Sequence, residues 1–124
     1  MHTQTSLRIL VVDDYRDSAD ALAALLDTWG YDATATYSGA HALELAASQP
    51  YDCVLLDVMM PLMSGGELAR ELRRRYGGNI TLIAMTGADI NGASYQLIVS
   101  TVDHFLAKPI DSAALRKVIS NNGR

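Results

Sequence analysis

One cysteine, one tryptophan, one phenylalanine and three prolines are all that this 124-residue chain holds of those types. With Cys53 alone, no disulfide can form within the chain, and its neighbours Val54, Leu55 and Leu56 suggest a buried strand thiol with no catalytic role. A reducing compartment fits. No apolar run approaches the length needed to cross a bilayer, and Met1-His-Thr-Gln-Thr-Ser lacks the charged and apolar regions of a signal peptide. A cytoplasmic location, with no membrane contact by this domain, is therefore expected. Basic charge is scarce too: ten Lys and Arg against fourteen Asp and Glu give a net charge of −4, which argues against direct contact with nucleic acid. The only basic run, Arg73-Arg74-Arg75, falls late in a predicted helix and reads as a solvated last turn favoured by the helix dipole. Neither G-x-G-x-x-G nor G-x-x-x-x-G-K-[ST] follows any strand, so a nucleotide-binding reading lacks its phosphate loop. His2, His41 and His104 have no metal-ligand spacing and read as surface residues.

What is present is an ordinary core. Hydrophobic residues make up 49% of the chain, enough for one domain, expected over residues 7–121 with 1–6 as an N-terminal extension. Leu7 to Val12, Tyr51 to Leu56 and Ile80 to Met85 are short apolar runs of the kind found in strands buried on both faces. Asp32 to Thr36 and Asp103 to Ala107 read as two further strands. Between them, helices are expected from Arg16 to Trp29, stopped by Gly30; over a short stretch containing Ala42, Leu43 and Ala46, capped by Ser38; and from Ser64 to Tyr76, stopped by Gly77-Gly78. A fourth helix is expected from Ala93 to Val99, and a last one opened by Pro109 and Asp111 with Leu115, Val118 and Ile119 inward. Five strands alternating with five helices predict an α/β domain: a doubly wound, flavodoxin-like parallel sheet of order 2-1-3-4-5.

The strands that matter end in polar residues: Asp13-Asp14 after the first, Asp57 after the third, Thr86 after the fourth and Lys108 after the fifth. In open parallel sheets the functional crevice lies at the carboxyl ends of the strands, so these residues are expected to face one another. Three carboxylates in one crevice raise one another's pKa values unless cations compensate. Lys108 supplies one positive charge, and Mg²⁺, which takes one or two carboxylates, a carbonyl and several waters, suits the rest. A carboxylate beside Mg²⁺ and Lys is a competent nucleophile toward a phosphoryl group, and the central position of Asp57 makes it the candidate acceptor.

Four stretches resemble the motifs of response-regulator receiver domains: Val11-Val-Asp-Asp14, Leu55-Leu-Asp-Val-Met-Met-Pro61 followed by Gly65, Met85-Thr86, and Phe105-Leu-Ala-Lys-Pro109. The resemblance runs from about Leu7 to Ile119. It implies that Asp57 is the phospho-acceptor, that Asp14 binds Mg²⁺ directly and Asp13 through water, and that Met59 offers its backbone carbonyl as a metal ligand. It further implies that Lys108 contacts the phosphoryl oxygen, that Thr86 donates its hydroxyl to it, and that the backbone N–H groups of Val58 and Gly87 complete the cradle. Phe105 matches the aromatic position whose rotamer follows Thr86, and the Lys108-Pro109 bond is expected to be cis. The sequence departs from the family pattern at Phe105, where tyrosine is commoner, at Thr101-Val102 in place of Gly-Ala, and at Gly87 in place of alanine.

Taken singly, each residue has a plainer reading. Asp13-Asp14 could serve as an N-cap with a first-turn acid, Lys108-Pro109 as an entry turn, Thr86 as a cap and Phe105 as core, while Met59, Met60, Met63 and Met85 read as packing or lid residues. The function expected is that of a phosphoryl-accepting receiver, not a conventional enzyme, which takes its group from a histidine kinase or a histidine phosphotransfer domain. Asp103 to Asp111 resembles the receivers attached to hybrid sensor kinases. The alternatives are a pseudo-receiver that only binds a partner, and an aspartate-nucleophile phosphohydrolase. The latter typically has an acid two residues after the nucleophile, where this chain has Met59.

Overall fold

The protein is described by a computed structural model that covers residues 7–87, 96 and 98–123. Five parallel strands form one sheet in the order β2-β1-β3-β4-β5: β1 (Arg8–Val12), β2 (Asp32–Thr36), β3 (Cys53–Asp57), β4 (Thr81–Thr86) and β5 (His104–Ala107). The helices α1 (Arg16–Thr28), α2 (Gly39–Ser48) and α3 (Gly65–Tyr76) and a C-terminal helix (Ser112–Gly123) form the crossovers and the closing element. The remaining expected helix, Ala93 to Val99, lies mostly outside the described residues; Gln96, Ile98 and Val99 within it are helical.

Alternation along the strands divides the core between the two faces of the sheet. Leu10, Val12, Val54, Leu56, Leu82 and Ala84 point to one side, where Ala42 and Ala46 of α2 and Leu68, Ala69 and Leu72 of α3 cover them. Ile9, Val11, Cys53, Leu55, Ile83 and Met85 point to the other, against Ala19, Ala23 and Leu26 of α1 and Leu115 and Ile119 of the C-terminal helix. Both faces are covered, which is why the central strands are continuous apolar runs.

The helix ends follow local chemistry. Ser64 and Glu67 form a reciprocal capping box at the start of α3, and Gly77 ends that helix at a positive φ of 58°. Ser38 accepts from the His41 N–H at the start of α2, and the Asp111 carboxylate accepts from the Ala114 N–H at 3.0 Å. The N-cap of α1 is Tyr15, and no side chain caps it. The Asp13-Asp14 pair therefore lies before the helix and is not its cap; Asp13 Oδ1 instead accepts the Tyr15 N–H at 3.0 Å. The Lys108-Pro109 peptide is cis.

The basic run is not uniformly a solvated turn. Arg74 and Arg75 do stay at the surface, paired with Glu71. Arg73 reaches across the molecule: its guanidinium donates to the carbonyls of Gly77, Ile80 and Thr101 and to Asp103 Oδ2 at 2.8–3.2 Å. Asp103 Oδ2 also accepts the Leu82 N–H at 2.8 Å, so one carboxylate ties α3 to the start of β4 and β5.

Candidate functional site

At the carboxyl end of the sheet the structure gathers the acidic residues that the strand ends pointed to. Asp13 follows β1, with its N–H bonded to the Thr36 carbonyl at 3.1 Å, and Asp57 closes β3. Asp13 and Asp57 are only 3% and 6% exposed, whereas Asp14 is open to solvent. One carboxylate oxygen from each of Asp13, Asp14 and Asp57 lies within 4.8 Å of the others.

Lys108 enters the same cluster from the far side. Its Nζ is 3.2 Å from Asp57 Oδ1 and 3.4 Å from Asp13 Oδ2, and its backbone N–H donates to the Thr86 carbonyl at 2.8 Å. Burial pushes the Asp57 carboxyl up, Lys108 pulls it back, Asp13 pushes it further, and the net shift is upward. Burial disfavours the Lys108 ammonium, but the two carboxylates outweigh it and its pKa is raised. One ammonium against three carboxylates leaves an excess of negative charge lined by hard oxygen donors. That donor set fits a hard divalent cation such as Mg²⁺ and does not suit a soft metal.

The acceptor candidate is held by its backbone. In the β3–β4 ladder Asp57 pairs with Met85, so Thr86 stands one residue further along the neighbouring strand. Gly65, at the start of α3, passes so close beneath Asp57 that a Cβ there would lie 2.3 Å from the Asp57 carbonyl oxygen and 2.7 Å from Val58 Cα. Only glycine permits that approach.

One expected part of the cradle is different. The Val58 N–H is engaged in the sheet, donating to the Met85 carbonyl at 3.1 Å. The ladder thus continues one residue past Asp57, and it is the Met59 N–H that turns to Asp57 Oδ1, at 3.3 Å. No residue type marks this position, because the donor is backbone. Gly87 is exposed at the end of β4. Phe105 sits opposite Ala84 in the β4–β5 register and is 36% exposed, so it is not a core residue. Met60 and Met85 are buried and Met63 partly so, but Met59 is largely exposed. His41 bonds the buried Thr36 hydroxyl through Nδ1 at 2.6 Å, and His2 lies outside the described residues. A cavity of about 430 Å³ opens at the other end of the sheet, beside Pro50, Tyr51 and Tyr76, where none of the cluster residues lies.

The family model of the response regulator receiver domain matches residues 9–120. The chain belongs to the response regulator receiver domain family. Among relatives of this receiver domain are the response regulator MprA of Mycobacterium ulcerans (strain Agy99), 36% identical over 104 residues that cover 84% of this chain and 44% of MprA, and hybrid signal transduction histidine kinase I of Dictyostelium discoideum, 32% identical over 121 residues that cover 91% of this chain and 7% of the kinase. The receiver domain thus spans less than half the length of these curated relatives. A response regulator receiver protein from Pseudomonas putida has the same fold, with a TM-score of 0.88 at 25% identity over 96% of this chain and 99% of that one. Receiver domains are signalling modules of two-component systems and work with histidine kinases.

Proposed function

We propose that this receiver domain, over residues 7–121, accepts a phosphoryl group on Asp57 from a phosphohistidine donor, with Mg²⁺ in the acidic cluster, and then changes conformation. The observation that carries this reading is the placement of the Lys108 ammonium 3.2 Å from Asp57 Oδ1, inside a cluster of three carboxylates. An Asp57 oxygen attacks phosphorus, the O–P bond forms as the P–N bond to the donor imidazole breaks, and the imidazole leaves with the bonding pair. Lys108 neutralises charge on the transferring oxygens and orients the group. Asp14, Asp57 and the Met59 carbonyl would hold Mg²⁺ directly, and Asp13 through water; when bound, the ion screens the same oxygens. The Met59 N–H, already turned to Asp57 Oδ1, is a further donor to the acceptor.

After transfer, Thr86 would act as the switch residue: it stands one residue past Met85, the β4 partner of Asp57, and its hydroxyl would donate to the attached group. Phe105, on the edge strand β5, is the aromatic side chain that would follow it. Among the described residues no helix is long and apolar enough to cross a membrane. Met59 occupies the position where a phosphohydrolase carries its leaving-group acid, which favours a receiver over that enzyme class.

Incubation with acetyl phosphate and Mg²⁺ tests the proposal by intact mass. One phosphoryl group should be added to the parent and none to Asp57→Ala. Equal labelling of both proteins would overturn the acceptor assignment. A parent that never gains mass would favour a pseudo-receiver.

A further inference from the structure

Among the described residues, Leu62 is the one non-glycine residue with a positive φ, at 68°. Its side chain is also fully exposed. Each property is unfavourable by itself. The left-handed region crowds Cβ against the backbone, and a branched apolar side chain in water gains nothing from burial. Glycine or asparagine at this position would relieve both.

The loop that presents Leu62 is anchored on either side of it. Met60 is buried, and Met63 packs so tightly beneath α2 that a Cβ on Gly39 would come within 2.8 Å of its Sδ. The Gly65 N–H closes the loop on the Val58 carbonyl at 3.0 Å, and the capping box fixes the entry to α3. Pro61 stiffens the chain immediately before Leu62. The two inward methionines hold the loop, and Met59 and Leu62 face outward from it. A rigid loop that holds an apolar side chain out in water is built like an anchor for a partner, since little ordering remains to be done on binding.

We infer that Leu62, with Met59 beside it, recognises the protein that phosphorylates Asp57, seating in an apolar patch next to the donor's phosphohistidine. This rests on the reading of Asp57 as the acceptor. The occupant follows from the geometry of transfer. Asp57 is only 6% exposed, and in-line attack requires the donor phosphorus to come within about 3–3.5 Å of its carboxylate. A histidine side chain is short, so the donor's surface must close over the chain around Asp57, and the exposed Met59 and Leu62 follow the acceptor by only two and five residues. Charge agrees: the anionic phosphoryl group meets the Lys108 ammonium in the crevice, and the apolar loop is left to the donor surface around it. A small phosphodonor enters the crevice without covering Leu62.

The test compares the parent, Leu62→Asn and Leu62→Met with two kinds of donor: acetyl phosphate, and the radiolabelled histidine kinase or phosphotransfer domain that labels the parent fastest in a purified panel. With acetyl phosphate all three should be labelled at the same rate. With the protein donor, Leu62→Asn should lose at least about tenfold in kcat/KM, the change falling in KM, and Leu62→Met should recover most of it. Leu62→Asn should melt no lower than the parent, which separates lost recognition from lost folding. An unchanged kcat/KM with the protein donor overturns the inference. So does labelling of the parent by acetyl phosphate but by no protein donor, or a dimer dissolved by Leu62→Asn while transfer is unaffected, which would assign the loop to a second copy of the chain. Failure of acetyl phosphate to label the parent would instead remove the acceptor reading on which the inference stands.

Discussion

Lys108 Nζ stands 3.2 Å from Asp57 Oδ1 and 3.4 Å from Asp13 Oδ2, across 95 residues of sequence from the latter. A single ammonium therefore bridges the candidate acceptor and a second buried carboxylate. Lys108→Ala should slow labelling of Asp57 by acetyl phosphate about a hundredfold, the scale on which removal of one charge-stabilising donor acts. Time courses of intact mass at saturating Mg²⁺ would measure it, and a rate within twofold of the parent would exclude Lys108 from the transfer step.

Gly65→Ala should destabilise the domain by about 3 kcal/mol, because the new Cβ meets backbone atoms of Asp57 and Val58 and no flexible side-chain end can yield. Relief of the clash would push β3 away from α3 and displace the acceptor. Urea denaturation would read the stability and acetyl phosphate labelling the displacement. A variant equal to the parent in both would mean that the close approach has no consequence.

Much of the architecture was legible because this sheet is buried on both faces. The runs ending at Val12, Leu56 and Met85 read as strands buried on both faces, and Asp57 and Lys108 stand out as polar residues at the ends of apolar segments. Backbone and long-range features were not legible. Nothing in the residue types says that the Val58 N–H stays in the ladder while the Met59 N–H turns to Asp57, or that Leu62 adopts a positive φ. The sequence groups Arg73 with its two neighbours as surface charge, although an arginine in a last helical turn before Gly77-Gly78 is well placed to bond free carbonyls. Which carbonyls it reaches depends on the return of the chain at Thr101 and Asp103, 28 and 30 residues later.

Arg73→Ala should cost about 2 kcal/mol, since it leaves the partly covered Asp103 carboxylate and three carbonyls without a charged donor. Arg74→Ala, whose side chain is solvated and pairs with Glu71 in the same helix, should change stability far less. Parallel thermal melts of the two variants would test the contrast, and equal shifts would contradict it.

The Cys53 thiol is buried, and burial pushes its pKa up from 9.0 to about 12. Native protein should resist thiol reagents at pH 8 and react only on unfolding in guanidinium. The unfolded chain releases this proton near pH 9 while the folded one retains it to about 12, so stability should fall as pH rises through that window. Cys53→Ala should lack that part of the alkaline decline. Rapid modification of the folded parent at pH 8 would contradict the burial.

The most direct measurement is the location of the acyl phosphate itself. Protein labelled with acetyl phosphate and Mg²⁺ would be reduced with borohydride, which turns a phosphorylated carboxyl into the corresponding alcohol, then digested and sequenced by mass spectrometry. The account predicts one reduced side chain, at position 57 and nowhere else, dependent on both donor and Mg²⁺. Reduction at Asp13, Asp14 or any other carboxylate, with Asp57 intact, would contradict it.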